Sequence, residues 1–204
     1  MELNTLLKKK EEKQLLQIAR ESIACCFNSN DLLLQRIAAC KKELYRRYTV
    51  LDIPVLKMPL ACFVTLTRKK NMELRGCIGN LEAEKNESLL ENIIRNSMSA
   101  AFNDSRFEPL EPEELSRVKI EISILSKPEI IHFETKEELF SLIRGKGVVL
   151  QKGFYRATFL PQVWEKLPQP ELFLRHLAAK AGLSSTAWEE ASYAVYEVAS
   201  FEED

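Results

Sequence analysis

The chain has 204 residues, of which 46% are hydrophobic and 29% are charged, as in an ordinary soluble globular protein with a substantial core. Its 29 basic and 30 acidic residues give a formal net charge of −1. This balance excludes the clearly basic character of domains that bind DNA or RNA duplexes, so no nucleic-acid partner is predicted.

The sequence carries no sign of a membrane or secretory protein. No run approaches the roughly 18 apolar residues of a membrane span, and residues 1–13, MELNTLLKKKEEK, lack the pattern of a signal peptide. The five cysteines are odd in number and show no disulfide-framework spacing, which suits a reducing compartment. We therefore expect a cytoplasmic protein that makes no contact with a membrane.

The cysteines and histidines offer no metal-binding pattern. No two cysteines have C-x-x-C spacing, and the chain has only two histidines, His132 and His176. A structural zinc site needs about four such ligands at characteristic spacing. The sequence therefore predicts neither a metal site nor a cofactor.

The first quarter of the chain is predicted to be helical. Apolar residues recur at steps of three and four over residues 11–27, which indicates an amphipathic helix. Asp31 is placed to cap a second helix over residues 32–48, and Pro54 prevents that helix from continuing.

A hairpin and a helix follow. Residues 60–67, LACFVTLT, are rich in strand-forming residues, and after a polar turn the chain returns as a partner strand over residues 72–78. Ser88 and Glu91 then form a capping-box pattern before an apolar helical face.

The second half of the chain alternates strands with short helices. Apolar and polar residues alternate over 118–125, Thr135 and Glu138 repeat the capping pattern, and Lys152 and Gly153 mark a tight turn between strands 147–151 and 154–160. A helix over 170–181 with Gly182 as its C-terminal cap and a last strand over 192–200 complete the prediction. This order indicates an α+β fold with mainly antiparallel hairpins.

The hexapeptide LRGCIG at residues 74–79 uses two of only six glycines in the chain. At average usage, about fourteen glycines would be expected. Gly76 and Gly79 therefore each mark either a position with positive φ or a place where another backbone or a ligand comes too close for a Cβ. The sequence leaves both explanations open.

Other segments join LRGCIG in a recognisable order: AFNDSRF at 101–107, EISILSKP at 121–128, ATFLPQVWE at 157–165 and KAGL at 180–183. With them the chain resembles the AMMECR domain family, in particular its bacterial and archaeal branch, from about residue 11 to the C-terminus. One departure is Ser105, which stands where the family usually has proline; Asp104 and Arg106 on either side are kept.

The resemblance implies one domain over residues 1–204 that can divide into two intimate α/β subdomains around a mainly antiparallel, barrel-like sheet. It implies a multi-protein setting, because prokaryotic members of the family are associated with a Memo-like protein and a radical S-adenosylmethionine (radical SAM) protein. It implies little about activity, since a fold does not by itself supply a function.

Cys77 is the candidate catalytic residue of the motif. A thiolate nucleophile needs a nearby cation, helix N-terminus or histidine, and Arg75, two residues away on a strand, is expected to share the face of Cys77. The alternative is a cysteine that only fills the strand interior, as such residues often do. Both remain open.

Asp104 and Arg106 form the second candidate pair. Two residues apart in a loop, they can orient each other so that the guanidinium grips a carboxylate or phosphate. Alternatively, Arg106 fastens the loop to neighbouring carbonyls while Asp104 caps the turn. The sequence does not show whether Arg75 and Arg106 converge in one pocket.

Two hypotheses therefore follow for the residues Arg75, Gly76, Cys77, Gly79, Asp104 and Arg106. In the first, the protein is a binding component without catalysis, and these residues shape a surface for a partner. In the second, it is an enzyme with a site around Arg75, Cys77, Asp104 and Arg106 that acts on a small anionic or protein-borne substrate. The absence of a complete acid–base–nucleophile set in the sequence favours the first.

Overall fold

The computed structural model of the protein describes residues 7–27 and 33–204. The helices are α1 (Lys9–Cys25), α2 (Leu33–Tyr48), α3 (Leu89–Phe102), α4 (Lys136–Ile143), α5 (Val163–Lys166) and α6 (Pro170–Lys180). The strands are β1 (Ala61–Arg68), β2 (Leu74–Gly79), β3 (Val118–Leu125), β4 (Glu129–Ile131), β5 (Gly147–Lys152), β6 (Tyr155–Phe159), β7 (Ser192–Tyr196) and β8 (Val198–Glu202). Short 3₁₀ helices lie at Pro54–Lys57, Pro112–Arg117 and Ala187–Glu190.

The chain divides into two compact units. The first contains the described residues up to Leu125 together with Ala199–Asp204, and the second contains Ser126–Val198. The two segments that lead from one unit to the other run side by side, since the backbone N–H of Ser126 donates to the Glu197 carbonyl at 3.0 Å. The Glu197 N–H in turn donates to the Ser126 hydroxyl at 2.9 Å.

The first unit is built on a sheet with strand order β2-β1-β3-β8. Strand β1 pairs antiparallel with β2 on one side and with β3 on the other. Alternate residues of β1 and β3 are fully buried on one face, on which α3 and α1 pack. Strand β2 lies at the edge of this sheet, so one of its two backbone edges has no neighbouring strand among the described residues.

The second unit contains a sheet with the order β4-β7-β5-β6. Its core joins apolar residues of β5 and β7 to one face of α6, where Phe173 and Leu177 are completely buried. The rings of Trp164 and Phe173 stack with their centroids 3.9 Å apart. Within the described residues, the two sheets are not closed into a barrel, which corrects the expected barrel-like arrangement; the α+β class and the antiparallel pairing are confirmed.

Of the two capping boxes predicted at helix starts, one is confirmed in full and the other in part. The Ser88 hydroxyl accepts from the Glu91 N–H, and the Glu91 carboxylate accepts from the Ser88 N–H at 2.8 Å, so α3 begins with a full capping box. At the start of α4, the Thr135 hydroxyl accepts from the Glu138 N–H at 3.2 Å, but the Glu138 carboxylate accepts from the Glu134 N–H rather than from that of Thr135. The predicted cap Asp31 lies outside the described residues.

The C-terminal strand was predicted incorrectly as one element over 192–200. The chain leaves the second sheet at Tyr196 and enters the first at Val198, so that β7 and β8 belong to different sheets. A continuous run of strand-forming residues does not reveal where such a change of sheet occurs.

A disulfide joins Cys25 at the end of α1 to Cys40 in α2, with the two Cα atoms 6.0 Å apart. The number and spacing of the cysteines did not predict this pair. Cys26, Cys62 and Cys77 are free thiols. Within residues 7–27 and 33–204, no helix is both long and apolar enough to cross a membrane.

Candidate functional site

The two glycines of LRGCIG are required by close packing. A Cβ on Gly76 would overlap the carbonyl oxygen of Ala100 in α3, and a Cβ on Gly79 would overlap the ring of Phe63. Neither glycine is among the residues of positive φ. The structure therefore selects the close-approach explanation over the conformational one.

The exposed edge of β2 is covered at Cys77 by the side chains of Asp104 and Arg106. The Cys77 N–H donates to Asp104 Oδ2 at 2.8 Å, and Arg106 Nη2 donates to the Cys77 carbonyl at 3.1 Å. Together the two side chains satisfy the backbone groups that a further strand would bond. The site is thus built on an edge strand in which the backbone N–H and carbonyl of Cys77 are already hydrogen-bonded to side chains.

The same two side chains bind each other. Arg106 donates from Nε to Asp104 Oδ1 at 2.9 Å and from Nη2 to Oδ2 at 2.7 Å. Hydrogen bonds from Arg106, together with the Cys77 N–H, hold the pKa of the Asp104 carboxyl well below its usual range despite its burial. The Asp104 side chain is only 4% exposed, whereas that of Arg106 is 55% exposed and faces solvent.

Arg75 is buried in an ion pair with Glu114. Its Nε and Nη2 lie 2.9 and 2.7 Å from the two carboxylate oxygens, and its side chain is 5% exposed. Hydrogen bonding from Arg75 lowers the pKa of Glu114 to about 2. The strand register shifts at this point, because Gly76 pairs with Leu66 and Leu74 pairs with Thr67. A bulge or other irregularity therefore lies at Arg75, and the strict alternation of side chains along β2 is interrupted there.

The two arginines converge on one aromatic ring. The guanidinium carbons of Arg75 and Arg106 lie 5.9 and 5.6 Å from the centroid of Phe107. Each guanidinium has its own carboxylate, Glu114 for Arg75 and Asp104 for Arg106. The ring thus packs between two arginine–carboxylate ion pairs. Because each guanidinium already has a carboxylate partner, the two arginines do not form a ready site for a further anion.

Cys77 differs from the other free cysteines in its surroundings. Its side chain is partly exposed, and its sulfur accepts a hydrogen bond from the Thr65 hydroxyl at 3.4 Å. Cys62 is fully buried, and burial raises its pKa to about 12. Burial likewise raises the pKa of Cys26 to about 11. Of the three free thiols, Cys77 is therefore the one that solvent can reach.

Sequence reasoning did not identify Thr65, Phe107 or Glu114 as parts of this site. Phe107 ends the quoted segment AFNDSRF, so its position in the motif was the available signal. Glu114 lies 39 residues from Arg75 in the chain, and nothing local predicts that pairing. The histidines His132 and His176 belong to the second unit, whereas all the candidate site residues belong to the first.

Comparisons with known proteins agree with this architecture. The AMMECR1 family model matches residues 16–201 of the chain. The chain is 37% identical over 158 residues to a protein of Thermofilum pendens, a match that covers 70% of this chain and 71% of the relative. It is also 37% identical over 153 residues to a protein of Methanothermobacter thermautotrophicus, with 71% and 76% covered.

A solved structure shows the same fold. The crystal structure of the uncharacterized protein PH0010 from Pyrococcus horikoshii matches 98% of this chain and 94% of its own, with a TM-score of 0.74 and 28% sequence identity. The match therefore extends over both compact units of the chain.

Proposed function

The chain belongs to the AMMECR1 family, and on that basis we propose that it is a binding component of a multi-protein system. It engages a partner through an edge-strand surface formed by β2 (Leu74–Gly79) and the loop Asn103–Phe107. The partners implied by the family resemblance are a Memo-like protein and a radical SAM protein.

The observation that carries this proposal is the arrangement of the Asp104–Arg106 pair on β2. Arg106 is held in place by two bonds to a buried carboxylate, yet more than half of its side chain faces solvent. A pre-ordered, exposed arginine contributes strongly to protein interfaces, because little entropy is lost when it is bound. Leu74, on the same strand, adds an exposed apolar side chain.

Arg75 has a different role from Arg106. Its guanidinium is buried against Glu114 and also donates to the Pro109 carbonyl at 3.4 Å. Through the Pro109 carbonyl, it anchors the chain directly after the loop that carries Arg106 and Phe107. We assign the direct contact with the partner to Arg106 and the positioning of the loop to Arg75.

The chemistry around Cys77 supports binding more than catalysis. Asp104, which accepts from the Cys77 N–H, is paired with Arg106, and Glu114 is paired with Arg75. The pKa of each carboxyl is lowered, so neither is poised near neutrality to accept a proton. The enzyme alternative rests on the partly exposed sulfur of Cys77 and its bond from Thr65. Turnover of a small metabolite by the purified protein, abolished in Cys77→Ser, would establish that alternative.

The binding proposal is tested with purified Memo-like and radical SAM proteins from the same organism. We expect Arg106→Ala to weaken binding to one of them at least about tenfold, the effect of losing one interface anchor. Arg106→Lys keeps a positive charge beside Asp104 but loses the planar fork, and we expect an intermediate affinity. Affinities are measured by biolayer interferometry on variants whose thermal midpoint is first determined.

Arg175→Ala is the matched control. Arg175 is 48% exposed and also pairs with a carboxylate, that of Glu171 at 3.8 Å, but it lies on α6 in the second unit. It is expected to bind as wild type does. Equal affinity of wild type and a folded Arg106→Ala protein for both partners, or binding to neither, would refute the proposal.

A further inference from the structure

We propose that a cleft between α2 and α3 is a binding site for a small anion that carries a flat apolar group, such as an aryl phosphate or aryl carboxylate. The cleft has a volume of about 530 Å³, within the range of small-molecule sites. Helix α2 lines it from Ala38 to Tyr45, helix α3 from Glu91 to Arg95, and the loop Glu84–Glu87 closes one side. None of these residues belongs to the edge-strand surface, so the inference stands apart from the proposed function.

Three lysines give the cleft its anion preference. Lys41 and Lys42 approach from α2 and Lys85 from the loop. Across residues 7–27 and 33–204, no carboxylate forms an ion pair with any of these three ammonium groups. Three like charges around one concave surface raise the local potential and favour an anion there.

The three carboxylates of the cleft, Glu84, Glu87 and Glu91, offset part of this positive charge but not all of it. Glu87 accepts from Arg95 Nε at 2.7 Å and from Asn92 Nδ2 at 2.7 Å. Burial alone would raise the pKa of Glu87, but the bonds from Arg95 and Asn92 outweigh it and leave the pKa lowered. Glu91 is engaged in the capping box of α3 with Ser88.

The remaining carboxylate, Glu84, is 73% exposed and lies 3.9 Å from Arg95. Water screens its charge, as it also screens the charges of the exposed Lys42 and Lys85. The four cations of the lining, Lys41, Lys42, Lys85 and Arg95, outnumber its carboxylates by one, so the cleft keeps a net positive charge.

The apolar part of the ligand is assigned to Tyr45 and Ile94. The Tyr45 side chain is 40% exposed, whereas Ile94 is 2% exposed and forms the floor together with α3. A half-exposed aromatic ring offers its face to a flat group, and an aliphatic floor excludes water from beneath it. Neither side chain would favour a fully hydrated inorganic anion.

The walls of the cleft are held rigid. Arg95 donates to Asn80 Oδ1 at 3.1 Å in addition to its bonds with Glu87, which fixes the α3 side. On the other side, the disulfide at Cys40 ties α2 to α1 directly beside Lys41. Rigid walls reduce the entropy lost on binding, which is a feature of preformed ligand sites.

The test uses phenyl phosphate, benzoate, inorganic phosphate and benzyl alcohol as probes, with amide chemical shifts measured by NMR. We expect saturable shifts at residues 41–45 and 84–95 with phenyl phosphate or benzoate, and their comparison distinguishes a phosphate from a carboxylate preference. Inorganic phosphate is expected to bind at least about tenfold more weakly, and benzyl alcohol is expected to cause no saturable shift. Binding of inorganic phosphate as tight as that of both aryl anions would refute the assignment of the flat group.

Variants separate the charged part of the site from the apolar part. Lys41→Gln with Lys85→Gln should weaken the better aryl anion about tenfold or more, since each lost ammonium removes a charge-assisted bond. Tyr45→Ser should abolish the advantage of the aryl anion over inorganic phosphate. The double variant Lys13→Gln with Lys69→Gln removes the same charge elsewhere on the first unit and should bind as wild type does.

Two outcomes would overturn the proposal. One is the absence of saturable shifts with either aryl anion at about 10 mM, which corresponds to an affinity too weak for a built site. The other is an equal loss of affinity for the aryl anion in the cleft variant and in the Lys13 and Lys69 control. This would show that the net charge of the protein, and not the cleft, determines the binding.

Discussion

At the scale of single residues, the hexapeptide LRGCIG is explained by what each side chain touches. Gly76 allows α3 to approach the first sheet, and Gly79 leaves room for the ring of Phe63. Arg75 is paired with Glu114, and the backbone of Cys77 is hydrogen-bonded by the side chains of Asp104 and Arg106. The motif therefore combines a packing requirement with a polar surface, and these two roles can be separated by mutation.

Replacement of Gly76 tests the packing requirement. In Gly76→Ala the new methyl group meets the Ala100 carbonyl, which belongs to the backbone of α3 and cannot rotate away. We expect the free energy of unfolding to fall by about 2–4 kcal/mol, as for an overpacked core with backbone displacement. Urea denaturation measures this loss, and an unchanged midpoint would contradict the close-approach explanation.

Gly153→Ala is the matched control for that experiment. Gly153 has a φ of 59° and no atom within 4 Å of an added Cβ, so only the conformational cost applies. We expect a loss of about 1 kcal/mol, smaller than that of Gly76→Ala.

The Arg75–Glu114 pair makes stability depend on pH in acid. The pKa of Glu114 is lowered from 4.5 to about 2 in the folded protein. A carboxyl whose folded-state pKa is depressed stabilises the fold fully above its unfolded pKa, and this contribution is lost as pH falls through the folded value. The contribution of Glu114 should therefore disappear between about pH 5 and about pH 2.

In Glu114→Gln the buried guanidinium loses its counter-charge. Near pH 7 we expect the free energy of unfolding to fall by about 3 kcal/mol, and we expect the difference from wild type to shrink towards zero as the pH approaches about 2. Urea denaturation across this range provides the measurement. Glu113→Gln, in the exposed part of the same 3₁₀ helix, should change stability by less than about 0.5 kcal/mol. Parallel pH dependences of wild type and Glu114→Gln would be inconsistent with this account.

At the scale of elements, the edge strand and the two N-terminal helices are held by contacts that are distant in sequence. The pair Asp104 and Arg106 protects β2 from pairing with another strand, in a position where an open edge would invite aggregation. The disulfide between Cys25 and Cys40 joins α1 to α2 and stabilises the fold because it limits the separation of these two segments in the unfolded chain.

Removal of the disulfide should lower stability measurably. For a sequence separation of 15 residues, the loop-entropy model gives about 3 kcal/mol. We expect Cys25→Ser with Cys40→Ser, and wild type treated with a dithiol reductant, to lose similar amounts of unfolding free energy. Identical stability of wild type with and without reductant would show that the bond contributes nothing.

At the scale of the whole molecule, the first unit is completed by the last residues of the chain. Arg20 in α1 binds the Glu203 carboxylate through Nε at 2.6 Å, and it donates to the carbonyls of Leu115 and Val118 at 2.7 and 2.9 Å. These bonds connect the first helix, the approach to β3 and the C-terminus of the chain. The unit is therefore closed by contacts between its two ends.

Arg20→Gln tests this closure. Loss of the charged bonds to Glu203 and of at least one carbonyl bond should lower the free energy of unfolding by about 2–3 kcal/mol. Arg117→Gln is a suitable control, because Arg117 is exposed, and its substitution should cost less than about 0.5 kcal/mol. Equal effects of the two substitutions in thermal and urea unfolding would remove the role assigned to Arg20.

The sequence by itself determined the local helices, strands and turns, and it identified the candidate site residues of the LRGCIG and AFNDSRF segments. The strand over 118–125, the capping box at Ser88, the helix cap at Thr135 and the tight turn at Gly153 all appear in the structure. Such features depend on residues within four positions of one another, and the periods of helix and strand express them directly. The motif residues could be named for the same reason, although their partners could not.

Only the tertiary structure decided how those elements and residues meet. It placed Arg75 against Glu114, Asp104 on the backbone of Cys77, Cys25 against Cys40, and the end of the chain in the first sheet. It also chose close packing over positive φ for Gly76 and Gly79. These contacts join residues separated by 15 to 83 positions. Their geometry depends on strand register and on helix packing, which local periodicity does not specify.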